Sequence, residues 1–149
     1  MKLRSFRVQN YRCIDDSGEA PVEHIKALVG KNESGKTSIL RALHKFNPAT
    51  PDPYNGLKEF PRRRFHEYED KATVVELKFS LGPEERNMLS EIDQRLAEVS
   101  GASVKKDYAG RYAVELLPDI QIPSPSLKGI FSLLIQLRGA IDRLDDTVS

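Results

Sequence analysis

The stretch ALVGKNESGKTSILRAL, residues 27–43, decides how this chain is read. The apolar run Ala27-Leu28-Val29 leads into a glycine-flanked loop, and Ile39, Leu40, Leu43 and Phe46 recur behind it at helical spacing. Gly30, Gly35, Lys36 and Thr37 fill the fixed places of G-x-x-x-x-G-K-[ST]. Glycines let a backbone wrap closely around an anion and turn its N–H groups inward. A helix beginning near Lys36 adds N–H groups at its first turn and the positive end of its dipole. The Lys36 ammonium can then reach the β- and γ-phosphates of a nucleotide, which makes it the candidate catalytic residue. The Thr37 hydroxyl is the candidate Mg²⁺ ligand, and Ser38 offers a further phosphate contact. The whole candidate cradle is Gly30, Lys31, Asn32, Glu33, Ser34, Gly35, Lys36, Thr37 and Ser38. A buried strand before the loop (22–30) and a helix after it separate this motif from a chance match.

Outward from the loop, residues 3–9 alternate with Phe6 and Val8 on one side, as a half-buried strand does, and DDSGEAP (15–21) reads as a turn-rich connection. The helix must stop before NPATPDP (47–53), whose three prolines forbid continuation. Residues 54–70 read as irregular and charged. A strand is expected over 72–82, with Val75, Leu77 and Phe79 on one face. Pro83 suits the first position of a helix carrying Leu89, Ile92, Leu96 and Val99 on one stripe and ending at Gly101. Residues 103–118 read as two strands joined at Ala109-Gly110. Beyond Ser124-Pro125, apolar residues from Leu127 to Val148 step by 3 and 4, a heptad seam. That helix is either an arm or dimerising element, or an amphipathic helix packed on its own domain. Gly129 and Gly139 count against a long rigid coil.

With 149 residues, 39% hydrophobic and 30% charged, the chain is sized for one domain with a real core. A net charge of +1 creates no global field toward nucleic acid, so any such surface must be a local patch. The basic run Lys58, Arg62, Arg63, Arg64 and His66 is the candidate for DNA contact, interleaved by Phe60, Phe65 and Tyr68 and offset by Glu59, Glu67, Glu69 and Asp70. Cys13, the only cysteine, forms no internal disulfide and is expected buried or half-buried. The N-terminal MKLRSFRVQN lacks an apolar signal core, and no stretch approaches the roughly 20 apolar residues of a membrane span. A cytoplasmic protein with no membrane partner is the expectation.

A guanine-reading N-K-x-D motif is absent, and Asp107-Tyr108-Ala109-Gly110 fits D-x-x-G only inside an expected hairpin. The leader FRVQNYRCI (6–14), its spacing to the loop, and Asn32 within G-x-N-x-[SA]-G-K-[ST] together resemble another group. They look like the N-terminal part of the ABC-type ATPases of the SMC, Rad50, RecF and OLD-nuclease group. The resemblance is close over residues 1–46 and looser to about 80; LKEFPRRRF leans it toward the bacterial OLD-like or RecF-like branch. It implies an α/β P-loop fold: the N-terminal lobe of an ABC-type head over residues 1–120, with antiparallel strands, followed by a C-terminal heptad helix over 121–149 as the start of an arm. It also implies ATP with Mg²⁺, and a role for Arg12 at the nucleotide phosphates. The plain alternative for Arg12 is a surface ion pair.

In that group hydrolysis needs an apolar strand ending in Asp-Glu, an S-G-G-type segment that crosses a dimer, and a late histidine. AVELLPD (113–119) is interrupted by Pro118, LSEID (89–93) lacks glycines, and His24, His44 and His66 fall too early. The expectation is an N-terminal segment whose partners are the missing C-terminal half, a second head and DNA, with little turnover alone. The alternatives are a non-hydrolysing, nucleotide-gated dimerisation or scaffold module, and a small-molecule kinase whose lid arginines could only be Arg62, Arg63 and Arg64.

Overall fold

In the computed structural model, residues 1–23, 28 and 35–118 are described. The alternation of KLRSFRVQNY produces a ten-residue strand, β1 (Lys2–Tyr11), with Phe6 and Val8 buried. It is followed by β2 (Ile14–Asp16), β3 (Ala20–Pro21), α1 (Lys36–His44), α2 (Gly56–Glu59), a 3-10 segment (Arg62–Glu67), β4 (Thr73–Ser80), α3 (Pro83–Ile92), a second 3-10 segment (Gln94–Glu98), β5 (Gly101–Asp107) and β6 (Tyr112–Leu117). The sheet runs β2-β1-β4-β5-β6, with β3 also on β1, and every pairing is antiparallel.

Register sorts the side chains into two faces. Phe6, Leu77, Val104 and Val114 lie opposite one another across four strands, and so do Val8, Val75, Lys106 and Tyr112. These rows lie under α1, and the core gathers Phe6, Val8, Tyr11, Ala42, Phe46, Tyr54, Phe60, Val74, Val75 and Tyr108. The alternate rows are Arg7–Glu76–Lys105 and Ser5–Lys78–Ser103–Glu115. They form a polar face of charge pairs, among them Arg7–Asp16, Lys78–Glu19 and Lys105–Glu115, with Ser5 and Ser103 buried between them and donating to Glu19 and Glu76. A smaller cluster of Leu81, Leu89, Leu96 and Val99 sits under α3.

The α/β class, the antiparallel strands, the helix from Lys36, the strand of residues 72–82 and the hairpin of 103–118 all agree with the sequence reading. Four expectations need correction. The connection 15–21 is built partly of β2 and β3, because Ser17 N and Val22 N bond to Val8 O and Arg4 O and carry β1's ladder onward. Residues 54–70 are not irregular throughout: the Asn55 side chain accepts from Lys58 N and starts α2, and the 3-10 segment follows Pro61. The helix from Pro83 does not run to Gly101. Asp93 takes an extended conformation, its carboxylate accepting from Arg95 N, and the chain re-enters as a 3-10 segment. Leu96 and Val99 still reach the small cluster, while Ile92 is left 36% exposed. Cys13 is exposed, not buried. Most of the expected strand 22–30 and the heptad helix of 121–149 lie outside the described residues.

Candidate nucleotide site

Gly35 opens α1 with φ 83°, the left-handed region that favours glycine. A Cβ there would lie 3.3 Å from Cys13 Sγ and 3.4 Å from Ile14 Cγ1, so both the conformation and the tight fit favour glycine. The Ile39 N–H closes the first helical bond onto Gly35 O at 2.9 Å. Lys36, Thr37 and Ser38 form the first turn, where a helix presents N–H groups that it does not use internally. No acidic residue stands in that turn to offset the dipole. Thr37 is exposed, and Ser38 Oγ lies 3.7 Å from Cys13 Sγ. Gly30, Lys31, Asn32, Glu33 and Ser34 lie outside the described residues.

The far end of α1 is held by three side chains that the motif does not announce. Tyr54 Oη donates to Ala42 O at 2.7 Å, and Tyr112 Oη donates to Phe46 O at 2.5 Å. Lys106 Nζ donates to Lys45 O at 2.9 Å and to Phe46 O at 2.7 Å. It does so from a position only 7% exposed, over the rings of Tyr54 and Tyr112. A buried cation at a helix C-terminus meets the negative end of the dipole.

Arg12 follows the last residue of β1 and, like Asn10, has positive φ (55° and 53°). Its N–H donates to Glu59 O at 2.5 Å, and its guanidinium lies 3.6 Å from Glu59 Oε1 and 5.5 Å from the Tyr11 ring centre. The local ion pair is therefore present. Arg12 also lines a cavity of about 600 Å³ with Cys13, Lys58, Phe60, Pro61, Arg62 and Arg63. Cys13 joins this cavity to the phosphate-loop helix through Gly35 and Ser38.

The basic run is divided by the fold. Lys58, Arg62 and Arg63 face the cavity, with Arg63 paired to Asp15. Arg64 pairs with Glu67 at 2.7 Å and donates to Asn10 Oδ1 at 3.2 Å. The interleaved aromatics serve packing: Phe60 is 3% exposed against Tyr68 and Tyr108, and Phe65 stacks on Tyr68.

Glu59 is the residue that sequence reasoning missed. Counted there as an offsetting surface charge, it is 5% exposed. Its Oε1 accepts from Tyr11 Oη at 2.9 Å and Lys45 Nζ at 2.8 Å, and its Oε2 accepts from Asn55 N at 2.9 Å. Burial pushes its pKa up, but the bonds from Lys45, Asn55 and Tyr11 outweigh this and leave it below the ordinary carboxylate value. Burial, with the bond to Glu59, raises the Tyr11 hydroxyl to about 12. The one local signal was Asn55 four residues before Glu59, a cap with an acid at its first turn.

Residues 1–107 match the family model described as AAA ATPase domain, so the chain belongs to that family. Two curated proteins are similar over its N-terminal part. One is an OLD nuclease of Thermus scotoductus, 44% identical over 41 residues, covering 28% of this chain and 8% of that protein. The other is a DNA replication and repair protein RecF of Chlorobium luteolum, 43% identical over 44 residues, covering 30% of this chain and 12% of that protein. Both agree with the SMC, Rad50, RecF and OLD-nuclease group to which the leader and loop point. The chain spans only a small part of either relative.

Proposed function

We propose that this AAA ATPase domain is the ATP-binding lobe of an OLD-like or RecF-like ABC-type ATPase. Residues 1–120 form the lobe, and 121–149 begin a helical arm or dimerising element. ATP lies on Gly30–Ser38, Lys36 acts at the β- and γ-phosphates, and Arg12 approaches from the end of β1. Thr37 would hold Mg²⁺, which would supply positive charge toward the phosphates. The observation that carries this reading is Gly35: its positive φ and the close Cys13–Ile14 wall behind it favour glycine, at the start of a helix with no acid in its first turn.

Hydrolysis is completed by a C-terminal half and by a second head closing on the nucleotide. The complete machine acts on DNA, in repair or phage defence, with the cavity cations Lys58, Arg62 and Arg63 toward the phosphate backbone. It works in the cytoplasm; among the described residues, no helix is long and apolar enough to cross a membrane.

A second reading is a nucleotide-gated scaffold that does not hydrolyse. It is supported by the nearby carboxylates, since Asp15 is taken by Arg63 and Arg64 and Glu59 by Lys45 and Tyr11. Calorimetry with Mg²⁺-ATP on the wild type and Lys36→Ala, with phosphate release followed in parallel, tests both. Binding lost in the variant, with negligible turnover by this chain and turnover restored by the C-terminal half, is expected. Equal binding by Lys36→Ala overturns the site; binding without turnover in the full-length protein favours the scaffold.

A further inference from the structure

Arg12 holds a left-handed backbone conformation that strains a residue with a side chain, and such strain persists only where neighbours over-determine it. Here one residue supplies most of the restraint. The Glu59 carbonyl receives the Arg12 N–H at 2.5 Å, and the Glu59 carboxylate stands 3.6 Å from the Arg12 guanidinium. The same carboxylate takes the hydroxyl of Tyr11, the preceding residue, and the ammonium of Lys45 at the C-cap of α1. A buried carboxylate with that many donors is fixed in place. It ties the end of β1 to both ends of the site: α2 and the cavity on one side, the phosphate-loop helix on the other.

We propose that Glu59 is a positioning residue for Arg12: it fixes the guanidinium at the rim of the cavity that adjoins Gly35–Ser38, ready for the anionic ligand of that site. The functional consequence rests on the nucleotide reading above, but the positioning does not. Arg12 is 37% exposed at its side chain, so it is held without being buried and can turn to a ligand while Lys45 and Tyr11 keep the carboxylate satisfied.

The test uses Cys13, which is exposed, lines the same cavity and is the only thiol in the chain. Its rate with a dianionic disulfide, 5,5′-dithiobis(2-nitrobenzoate), is divided by its rate with neutral iodoacetamide. The quotient removes the thiolate fraction and reports the local positive charge. It is measured for the wild type, Arg12→Ala, Glu59→Gln and the double variant. Arg12→Ala is expected to lower the quotient by about fivefold, the factor for one unit charge at about 4 Å in water. Glu59→Gln removes a negative charge and should raise the quotient without Arg12; with Arg12 present the rise should be smaller by roughly twofold to threefold, because the guanidinium is released. Affinity for Mg²⁺-ATP should fall in Arg12→Ala and show the same non-additivity between the two backgrounds.

A purely structural Glu59 would shift the quotient equally in both backgrounds, or leave it unchanged, and either result overturns the proposal. If Glu59→Gln loses its far-ultraviolet circular dichroism, Glu59→Asp replaces it, since it keeps the charge and withdraws the carboxylate by one methylene. Failure of the wild type to bind Mg²⁺-ATP overturns the nucleotide reading and leaves the thiol result to decide the positioning.

Discussion

Replacing Lys106 by methionine tests how the phosphate-loop helix is anchored. The substitution keeps an unbranched stem and removes only the ammonium. In the wild type that ammonium donates to Lys45 O at 2.9 Å and Phe46 O at 2.7 Å, with ring centres of Tyr54 and Tyr112 at 5.4 and 5.1 Å. A hydrogen bond from a charged group contributes roughly 1.5–3 kcal/mol net, and a partly buried cation at a helix C-terminus up to about 2 kcal/mol. Against this stands the cost of holding an ammonium out of water, several kcal/mol in real proteins. The methionine stem also keeps its packing against the rings. Phe46 O retains the Tyr112 hydroxyl, so Lys45 O suffers most. The expected loss is about 2–4 kcal/mol. At roughly 3–4 °C per kcal/mol for a chain of this size, Tm falls by about 6–16 °C.

Urea and thermal unfolding followed by circular dichroism measure this, with Lys105→Met as control. Lys105 is the next residue but faces the solvated side of the sheet, paired to Glu115 at 2.7 Å with side chains 30% and 56% exposed. That variant should cost no more than about 1 kcal/mol. Equal losses for the two, or a Lys106→Met loss under about 0.5 kcal/mol, would refute the anchoring of α1 by the buried ammonium.

Gly35→Ala forces a side chain into φ 83° and against Cys13 Sγ at 3.3 Å, so Mg²⁺-ATP affinity should fall by at least about tenfold, or roughly 1.4 kcal/mol, in calorimetry. Retained affinity would mean that the loop tolerates a different opening. The hydrogen bond from Arg7 holds the Asp16 carboxyl at about 2, below its ordinary 3.8, so its contribution is present above pH 4 and is lost as pH falls from 4 through 2. The pair is exposed (40% and 38%), so Asp16→Asn should cost under about 1 kcal/mol in urea at pH 7 and nothing measurable at pH 2. Reversing Arg62 and Arg63 to glutamate in the full-length protein should weaken DNA binding and lower the salt slope by about 1 for each phosphate that is no longer neutralised. An unchanged slope assigns these two residues to the solvated surface.

The elements legible in the sequence were those whose cause is local. Alternation named β1 and β4, Ala109-Gly110 marked the turn between β5 and β6, and glycine followed by lysine and threonine marked the start of α1. What escaped depends on distant partners. Glu59 reads as a surface charge until Tyr11, 48 positions away, donates to it. Lys106 occupies an apolar row because α1 ends above it, 60 positions earlier in the chain. Neither partner is visible in a window around the residue. Asp93 was a local signal overlooked: an aspartate competes for backbone N–H groups and breaks a helix whose apolar stripe would otherwise continue. In the candidate site, residue types and spacing gave the start of α1 at Lys36, while the cavity beside it required the fold to bring Lys58 and Arg62 to Arg12 and Cys13.

The turn at Asn10–Arg12 explains how these pieces act together. Two residues with side chains and positive φ in one short turn demand compensation, and each is clamped by a different element. The Asn10 carbonyl accepts from Tyr108 Oη at 2.5 Å, its amide donates to Thr73 O at 3.1 Å, and its Oδ1 receives Arg64 at 3.2 Å. Tyr11 and Arg12 are held by Glu59. The sharp turn lets the chain leave β1 and return as β2, which places Cys13 and Ile14 directly against Gly35. The wall that favours glycine at the start of α1 is thus the product of a strained turn 23 residues earlier. That turn is held by β4, the β5–β6 turn, α2 and the 3-10 segment after it, so substitutions in any of these four places should reach the candidate nucleotide site without touching it.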